Sequence, residues 1–198
     1  MKPFTHCSFC GTLFPHGDTW PKTCVGCQRS TWRNPTPVAV LLQPVWFPHG
    51  DAKLVGIRRQ NTVQSGMISP PGGFVTLGET WQEAATREAK EEANIDVDPN
   101  TIAVFDIVSA SEGVILIFGI APFVDAAQLC PFIPNHEASE RVLIARGDPL
   151  AFPLHEIIAN RYLDRMYRKK QREDRANKRF LEELYGDDSV NCGEEGAT

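Results

Sequence analysis

In the stretch "TREAKEEANI", residues 86 to 95, three glutamates fall on the side of a helix where apolar residues belong. Residues 79 to 93 are rich in Ala, Glu, Gln, Lys and Arg, all good helix formers, and are read as a helix. At about 100° per residue, Glu88, Glu91 and Glu92 lie within an arc of about 100°. Trp81, Ala84, Ala85 and Ala89 point into or beside that sector, while Gln82, Glu83, Thr86 and Lys90 take the opposite side. Ordinary amphipathic design keeps acids off the apolar stripe. Any packing that buries these alanines also gathers three like charges, which repel one another and are costly to desolvate. Either the carboxylates take up protons or cations neutralise them, and hard divalent ions such as Mg²⁺ or Mn²⁺ suit oxygen ligands. Arg87, one helical turn before Glu91, can pair with one carboxylate and fix its orientation. The helix taken alone also admits a solvated acidic face.

Around this helix the chain reads as an α/β domain. "VAVLLQPVWF" and "KLVGIRR" are two strands joined by a loop containing Pro48, His49, Gly50 and Asp51. "SPPGGFV" is a turn and a short strand, "TIAVFDIVSA" and "GVILIFGIAPFV" are strands, and "PFIPNHEAS" is a loop before the strand "ERVLIAR". From Leu154 to Leu184 the pattern is helical, with Ile157, Ile158, Tyr162, Leu163 and Met166 at helical spacing. The order β, β, β, α, β, β, β, α implies a mixed sheet packed between helices. "RKKQREDRANKR" is a solvated mixed-charge face, and residues 186–198 read as a disordered tail. The net charge of −5 argues against a general nucleic-acid binder and makes divalent cations a requirement for any polyanionic substrate. No apolar run is long enough to span a membrane, and no secretory signal is visible, so a cytoplasmic location is expected.

Residues 1–33 differ in kind from the rest. Cys7 and Cys10, then Cys24 and Cys27, form two C-x-x-C pairs separated by thirteen residues. Without an export signal such pairs favour metal over disulfides. Four thiolates at this spacing can close tetrahedrally around Zn²⁺ from two tight turns, helped by Gly11 and Gly26. A segment this short has little core of its own, so metal binding would supply much of its folding free energy. A closed four-thiolate shell leaves no open position, so the zinc is structural rather than catalytic. Reduced structural cysteines or a redox pair are the alternatives. His6 and His16 lie nearby, but the shell is already full; Cys130 and Cys192 read as free thiols. Residues 34–37, "NPTP", form the linker.

Residues 73 to 95, "GFVTLGETWQEAATREAKEEANI", resemble the Nudix box: a glycine, five residues, a glutamate, seven residues, then R-E-U-x-E-E-x-G-U, where U is aliphatic. Gly73, Glu79, Arg87, Glu88, Glu91, Glu92 and Ile95 fill the pattern, and Ala89 is a small member of the aliphatic class. Asn94 stands where the family has its second glycine, and Asn is the next best residue for a left-handed helix cap. The resemblance implies a Nudix α/β/α sandwich with an N-terminal zinc ribbon, and water attack on the phosphorus of a nucleoside diphosphate linked to another moiety. It further implies that Glu88, Glu91 and Glu92 bind Mg²⁺ or Mn²⁺, that the Gly73 carbonyl completes the shell, and that Glu79 supports the loop on the substrate side. The four-cysteine segment, "RNPTPVAVLL", "VGIRR", "SPPGGFV" and "LAFPLHEIIANRYL" are similar to the zinc-ribbon branch of ADP-ribose, NADH and FAD pyrophosphatase-like Nudix proteins. The S-Q-P-W-P-F-P array that follows the box in NADH pyrophosphatases does not occur here, so ADP-ribose or a dinucleotide such as FAD is preferred over NADH.

Other residues can contribute to such a site. Arg58 and Arg59 end a strand before the box and can bind substrate phosphate, or pair with carboxylates at the core edge. Glu137 and Glu140 lie after the box, and a glutamate there often binds metal or acts as base in the family. Glu137 is favoured, against a solvated loop acid, with His136 adjoining it. Trp46, Phe47 and Phe74 can stack on a base or pack at the core rim. The reading is therefore a Mg²⁺-dependent pyrophosphohydrolase for a small-molecule nucleotide. Homodimerisation is common among such relatives. A nucleotide-sensing regulator and a house-cleaning nucleoside triphosphatase are the rivals.

Overall fold

A computed structural model of the chain describes residues 4–15, 17, 19–47, 52–60 and 63–185. His16, the loop residues Pro48, His49, Gly50 and Asp51, and the tail 186–198 with Cys192 lie outside the described residues.

Strand β3 (Thr36–Leu42) organises the rest. Its "VAVLL" run is apolar at successive positions, as a strand buried on both faces must be. Val40 and Leu42 point into one core cluster with Phe118, Ile144, Ile158 and Tyr162. Ala39 and Leu41 point the other way, into a second cluster with Ala84, Ala85 and Ala89. Two helices therefore cover opposite faces: α1 (Trp81–Ala93) through its alanines and α2 (Pro153–Tyr185) through its larger side chains.

Two mixed sheets fill the middle layer. In one, β3 lies parallel to β9 (Val114–Ile120) and antiparallel to β7 (Gly72–Phe74), and β9 continues to β8 (Ala103–Ala110), giving the order β7-β3-β9-β8. In the other, β5 (Lys53–Arg59) carries β11 (Ala138–Ile144) along one edge. Its other edge is shared by β4 (Pro44–Trp46) and β6 (Ile68–Ser69), and β10 (Val124–Asp125) extends the sheet from β4. The segment expected as one strand, "VAVLLQPVWF", divides at Gln43. Pro44 cannot donate to a ladder, and the buried Gln43 amide turns aside to the carbonyls of Pro44 (3.0 Å) and Pro122 (2.7 Å).

Helix α1 starts two residues later than the composition implied, because Thr80 and Glu83 form a capping box. It ends on Asn94 in the left-handed conformation (φ 51°), whose side-chain amide donates to Pro131 O at 3.0 Å. In α2 the apolar spacing holds with one exception. Ile158, Tyr162 and Leu163 are buried and Met166 packs beside them, but Ile157 points outward. Beyond Arg168 the helix is mostly exposed and charged, as its mixed-charge sequence implied. No helix among the described residues is long and apolar enough to cross a membrane. The N-terminal segment contributes β1 (Lys22–Thr23) paired antiparallel with β2 (Ser30–Thr31), and its small core consists of Cys7, Phe14 and Cys24 with Trp20 and Cys27 against them.

The left-handed cap sets a stability expectation. Asn94→Ala should destabilise the protein by about 1–2 kcal/mol in denaturant titration, whereas Asn94→Gly, which tolerates the conformation, should cost less.

Candidate functional site

The turn "PPGGF" brings β7 against α1, and this contact builds the site. Glu88 and Glu92, one helical turn apart, both face it and are almost buried, at 9% and 4% exposure. The Glu92 carboxylate accepts a hydrogen bond from Gly72 N at 2.9 Å. Glu88 lies flat on Gly73: a Cβ at that residue would sit 2.2 Å from its Oε1, so only glycine permits the approach. From the far side, the segment before β11 delivers Glu137, and carboxylate oxygens of Glu88, Glu92 and Glu137 lie within 4.8 Å of one another. Burial pushes Glu92 up to about 7, against the opposing pull of the Gly72 N–H, and the charges of Glu88 and Glu137 push the same way. Burial also raises Glu88, partly offset by Arg87. Three converging oxygen donors with protonation displaced in this direction fit a hard divalent ion such as Mg²⁺.

Glu91 stands apart from this trio. Its side chain is 53% exposed and pairs with Arg87 at 3.1 Å. Arg87 uses its whole fork: two bonds to Glu79 (3.1 and 3.0 Å), one to Glu88 (2.8 Å), and one to the Phe74 carbonyl (3.1 Å). The guanidinium, together with the Thr76 N–H, holds Glu79 down at about 2. Glu79 thus faces Arg87 and the loop, latching the arginine that orients Glu88.

The two arginines of β5 separate. Arg58 pairs with Glu140, its partner in the strand register, and donates to Gly66 O at 2.9 Å, tying β5 to β11 and to the turn before β6. Glu140 is engaged there, which leaves Glu137 as the glutamate at the cluster. Arg59 donates to Val63 O at 3.0 Å, lies over the Phe152 ring, and lines a cavity of about 540 Å³. Gly72, Gly73, Phe74, Glu112 and His155 also line it, so the cavity borders the two glycines against which Glu92 and Glu88 lie. Of the three aromatic candidates only Phe74 reaches it. Trp46 packs edge-to-face on Phe123, and Phe47 lies under Lys53. His136 is almost fully exposed, with Nε2 3.4 Å from Glu137.

Sequence reasoning missed Asn135. Its Oδ1 accepts from the N–H groups of Glu137 and Ala138 (both 2.9 Å), and its Nδ2 donates to Glu91 O at 2.7 Å. It thereby pins the Glu137 turn to the end of α1. The signal was available: Asn two residues before the carboxylate is an Asx-turn pattern.

In the N-terminal segment the four cysteine sulfurs lie within 4.8 Å of one another, with Cys7–Cys27 at 3.7 Å and Cys10–Cys24 at 3.6 Å. Tetrahedral zinc–thiolate geometry requires sulfur separations of about 3.8 Å. His6 is turned to Thr5, outside this set, and Cys130 is an exposed free thiol.

Two outcomes follow from these geometries. An acid whose folded pKa is raised contributes stability below its unfolded value that is lost as pH rises through the folded value. Metal-free protein should therefore lose stability, on the order of 3 kcal/mol, between pH 4.5 and 7 through Glu92. Glu92→Gln should flatten that slope in thermal melts, and Mg²⁺ should restore the wild-type loss. Separately, Cys24→Ser should abolish one equivalent of zinc by elemental analysis and expose residues 4–31 to protease, with the melting of the α/β core little changed.

Comparison with known proteins gives a consistent picture. Residues 36–127 match the family model described as NUDIX domain. A 45-residue segment is 47% identical to an ADP-ribose pyrophosphatase of Methanocaldococcus jannaschii, covering 23% of this chain and 27% of that protein. The chain thus spans about a quarter of the curated relative it matches. The fold is similar to a NUDIX hydrolase from Nitrosomonas europaea (TM-score 0.62, 24% identity, covering 83% of this chain and 93% of the other). It is also similar to the NUDIX domain of Shewanella oneidensis NrtR in complex with ADP ribose (TM-score 0.56, 16% identity, covering 68% and 90%). The α/β/α layers are those of these similar structures, and the stretch that matches the NUDIX domain model, residues 36–127, contains the carboxylate-bearing helix α1.

Proposed function

We propose that the chain is a Mg²⁺-dependent pyrophosphohydrolase that cleaves a nucleoside-diphosphate derivative, ADP-ribose first and FAD or NADH next, in a domain spanning residues 34–185 preceded by a zinc ribbon over 1–33. The observation that carries the reading is the converging trio Glu88, Glu92 and Glu137, two of them buried, beside a cavity large enough for a nucleotide. The 45-residue likeness to an ADP-ribose pyrophosphatase supports the choice of first substrate.

Glu88, Glu92 and Glu137 would hold the ion, with the Gly73 carbonyl beside them and Glu91 at the solvent edge. When bound, a divalent ion lowers the pKa of water and offsets the negative charge that shields a pyrophosphate from attack. The protein's own work is positional. Arg87, latched by Glu79, fixes Glu88, and Asn135 fixes the turn of Glu137. Arg59 lines the same cavity and is suited to a phosphate oxygen. Glu137, on a turn and partly exposed, is placed to take the proton of the attacking water as its oxygen bonds to phosphorus and the bridging P–O bond breaks. From ADP-ribose the products are AMP and ribose 5-phosphate.

A substrate panel of ADP-ribose, FAD, NADH and nucleoside triphosphates with and without Mg²⁺ tests the reading. AMP release from ADP-ribose, dependent on Mg²⁺, is expected. Glu92→Gln and Glu137→Gln should each lower kcat by about 10²-fold or more while the protein stays folded. Tight ADP-ribose binding without turnover would instead establish a sensor, and preference for triphosphates a house-cleaning enzyme.

A further inference from the structure

We infer that the cavity between β7, the β8–β9 turn and the start of α2 is a nucleoside subsite in which the Glu112 carboxylate reads hydrogen-bond donors of the base or ribose. This rests on the proposed reaction and adds which end of the substrate lies where.

Strand register gives the cavity its direction. Along β3, Val40 pairs with Gly72 and Val38 with Phe74, while Thr36 pairs with Val114, just past Glu112. Four residues of strand, about 13 Å, therefore separate the Gly72 end from the Glu112 end. The Gly72 end carries Arg59 and borders the carboxylate trio, which suits phosphates neutralised by cations. The Glu112 end has no comparable basic side chain among the lining residues: Val38, Phe74, Ala110, Val114 and Leu116 are apolar and Glu112 is acidic. A carboxylate there repels phosphate and accepts from O–H or N–H donors. The uncharged half of the nucleotide is what fits.

Two further observations describe this wall. Glu112 sits in the left-handed region (φ 60°, ψ 22°), which a non-glycine residue adopts at a cost and which clusters at binding sites. His155 also lines the cavity, wedged edge-on between Phe118 and Phe152, and its buried Nδ1 has no hydrogen-bond partner among the described residues. Burial drives the imidazole down to about 4, so it presents a neutral ring at physiological pH. The neutral ring adds an uncharged wall to the cavity, in keeping with the uncharged half of a nucleotide.

The test uses Glu112→Gly, which removes the carboxylate and is at ease at positive φ. With ADP-ribose its KM should rise about tenfold, with a smaller change in kcat. If KM for the hypoxanthine counterpart of ADP-ribose is unaffected, Glu112 reads the adenine amine; if both rise together, it reads the ribose hydroxyls. Either outcome supports the subsite. An unchanged KM for both substrates overturns it. Should the wild-type chain hydrolyse nothing in the panel, the proposed reaction fails, but the subsite is still read by calorimetry with AMP on the full chain. AMP binding weakened about tenfold by Glu112→Gly supports it, and absent or unaltered binding overturns it. Phe74→Ala, at a 61% exposed residue whose loss leaves the core intact, should weaken AMP in the same way and serves if the glycine variant is unstable.

Discussion

Two carboxylates pressed against a pair of glycines set the terms for the rest of this molecule. Glu88 can lie on β7 only because Gly73 has no Cβ, and Glu92 is held by the N–H of Gly72. Everything nearby serves that contact. The alanines of α1 bring the helix axis close to β3, since larger side chains would lift the carboxylates away from the turn. Arg87 supplies the one positive charge beside the trio from α1, and Glu79 prevents it from swinging out to solvent. Left without a cation, the arrangement takes up protons instead, which is the physical meaning of the upward displacement of Glu92 and Glu88.

Much of this was legible in the sequence, because the signals were local. Glutamates interleaved with alanines, a double glycine before them, and an arginine one turn from a glutamate are all statements about a few consecutive residues. The four cysteines were equally plain, since their spacing alone encodes two turns facing one point. Glu91 was read as equal to its neighbours, yet helix geometry alone could not say which edge of a 100° arc the sheet would cover, and it covers Glu88 and Glu92. Arg58 and Arg59 looked interchangeable until the register of β11 set Glu140 opposite Arg58. Ile157 was read with the apolar period of α2 and still points outward, because the buried face is centred on Ile158, Tyr162, Leu163 and Met166 and Ile157 falls about 100° to one side of Ile158. The break at Gln43 depends on carbonyls of Pro44 and Pro122, the second far along the chain.

The N-terminal segment follows a different rule. Its buried residues are largely the cysteines themselves, with Phe14 and Trp20 packed edge-to-face beside them. A core made of ligands has no independent hydrophobic reserve, in contrast to the α/β domain, where two separate clusters lie on either side of β3. The two parts draw their stability from different chemistry.

The end of α1 is unusually well tied down. Helix ends normally leave carbonyls to water. Here the Glu91 carbonyl accepts from Asn135 and the Ala93 carbonyl from Arg141, while Asn94 reaches Pro131. These partners lie on the very segment that carries Glu137. Fraying of the last helical turn and departure of that carboxylate are therefore one motion, so the site is assembled or dismantled as a unit and amide exchange in the two segments should share a single opening free energy.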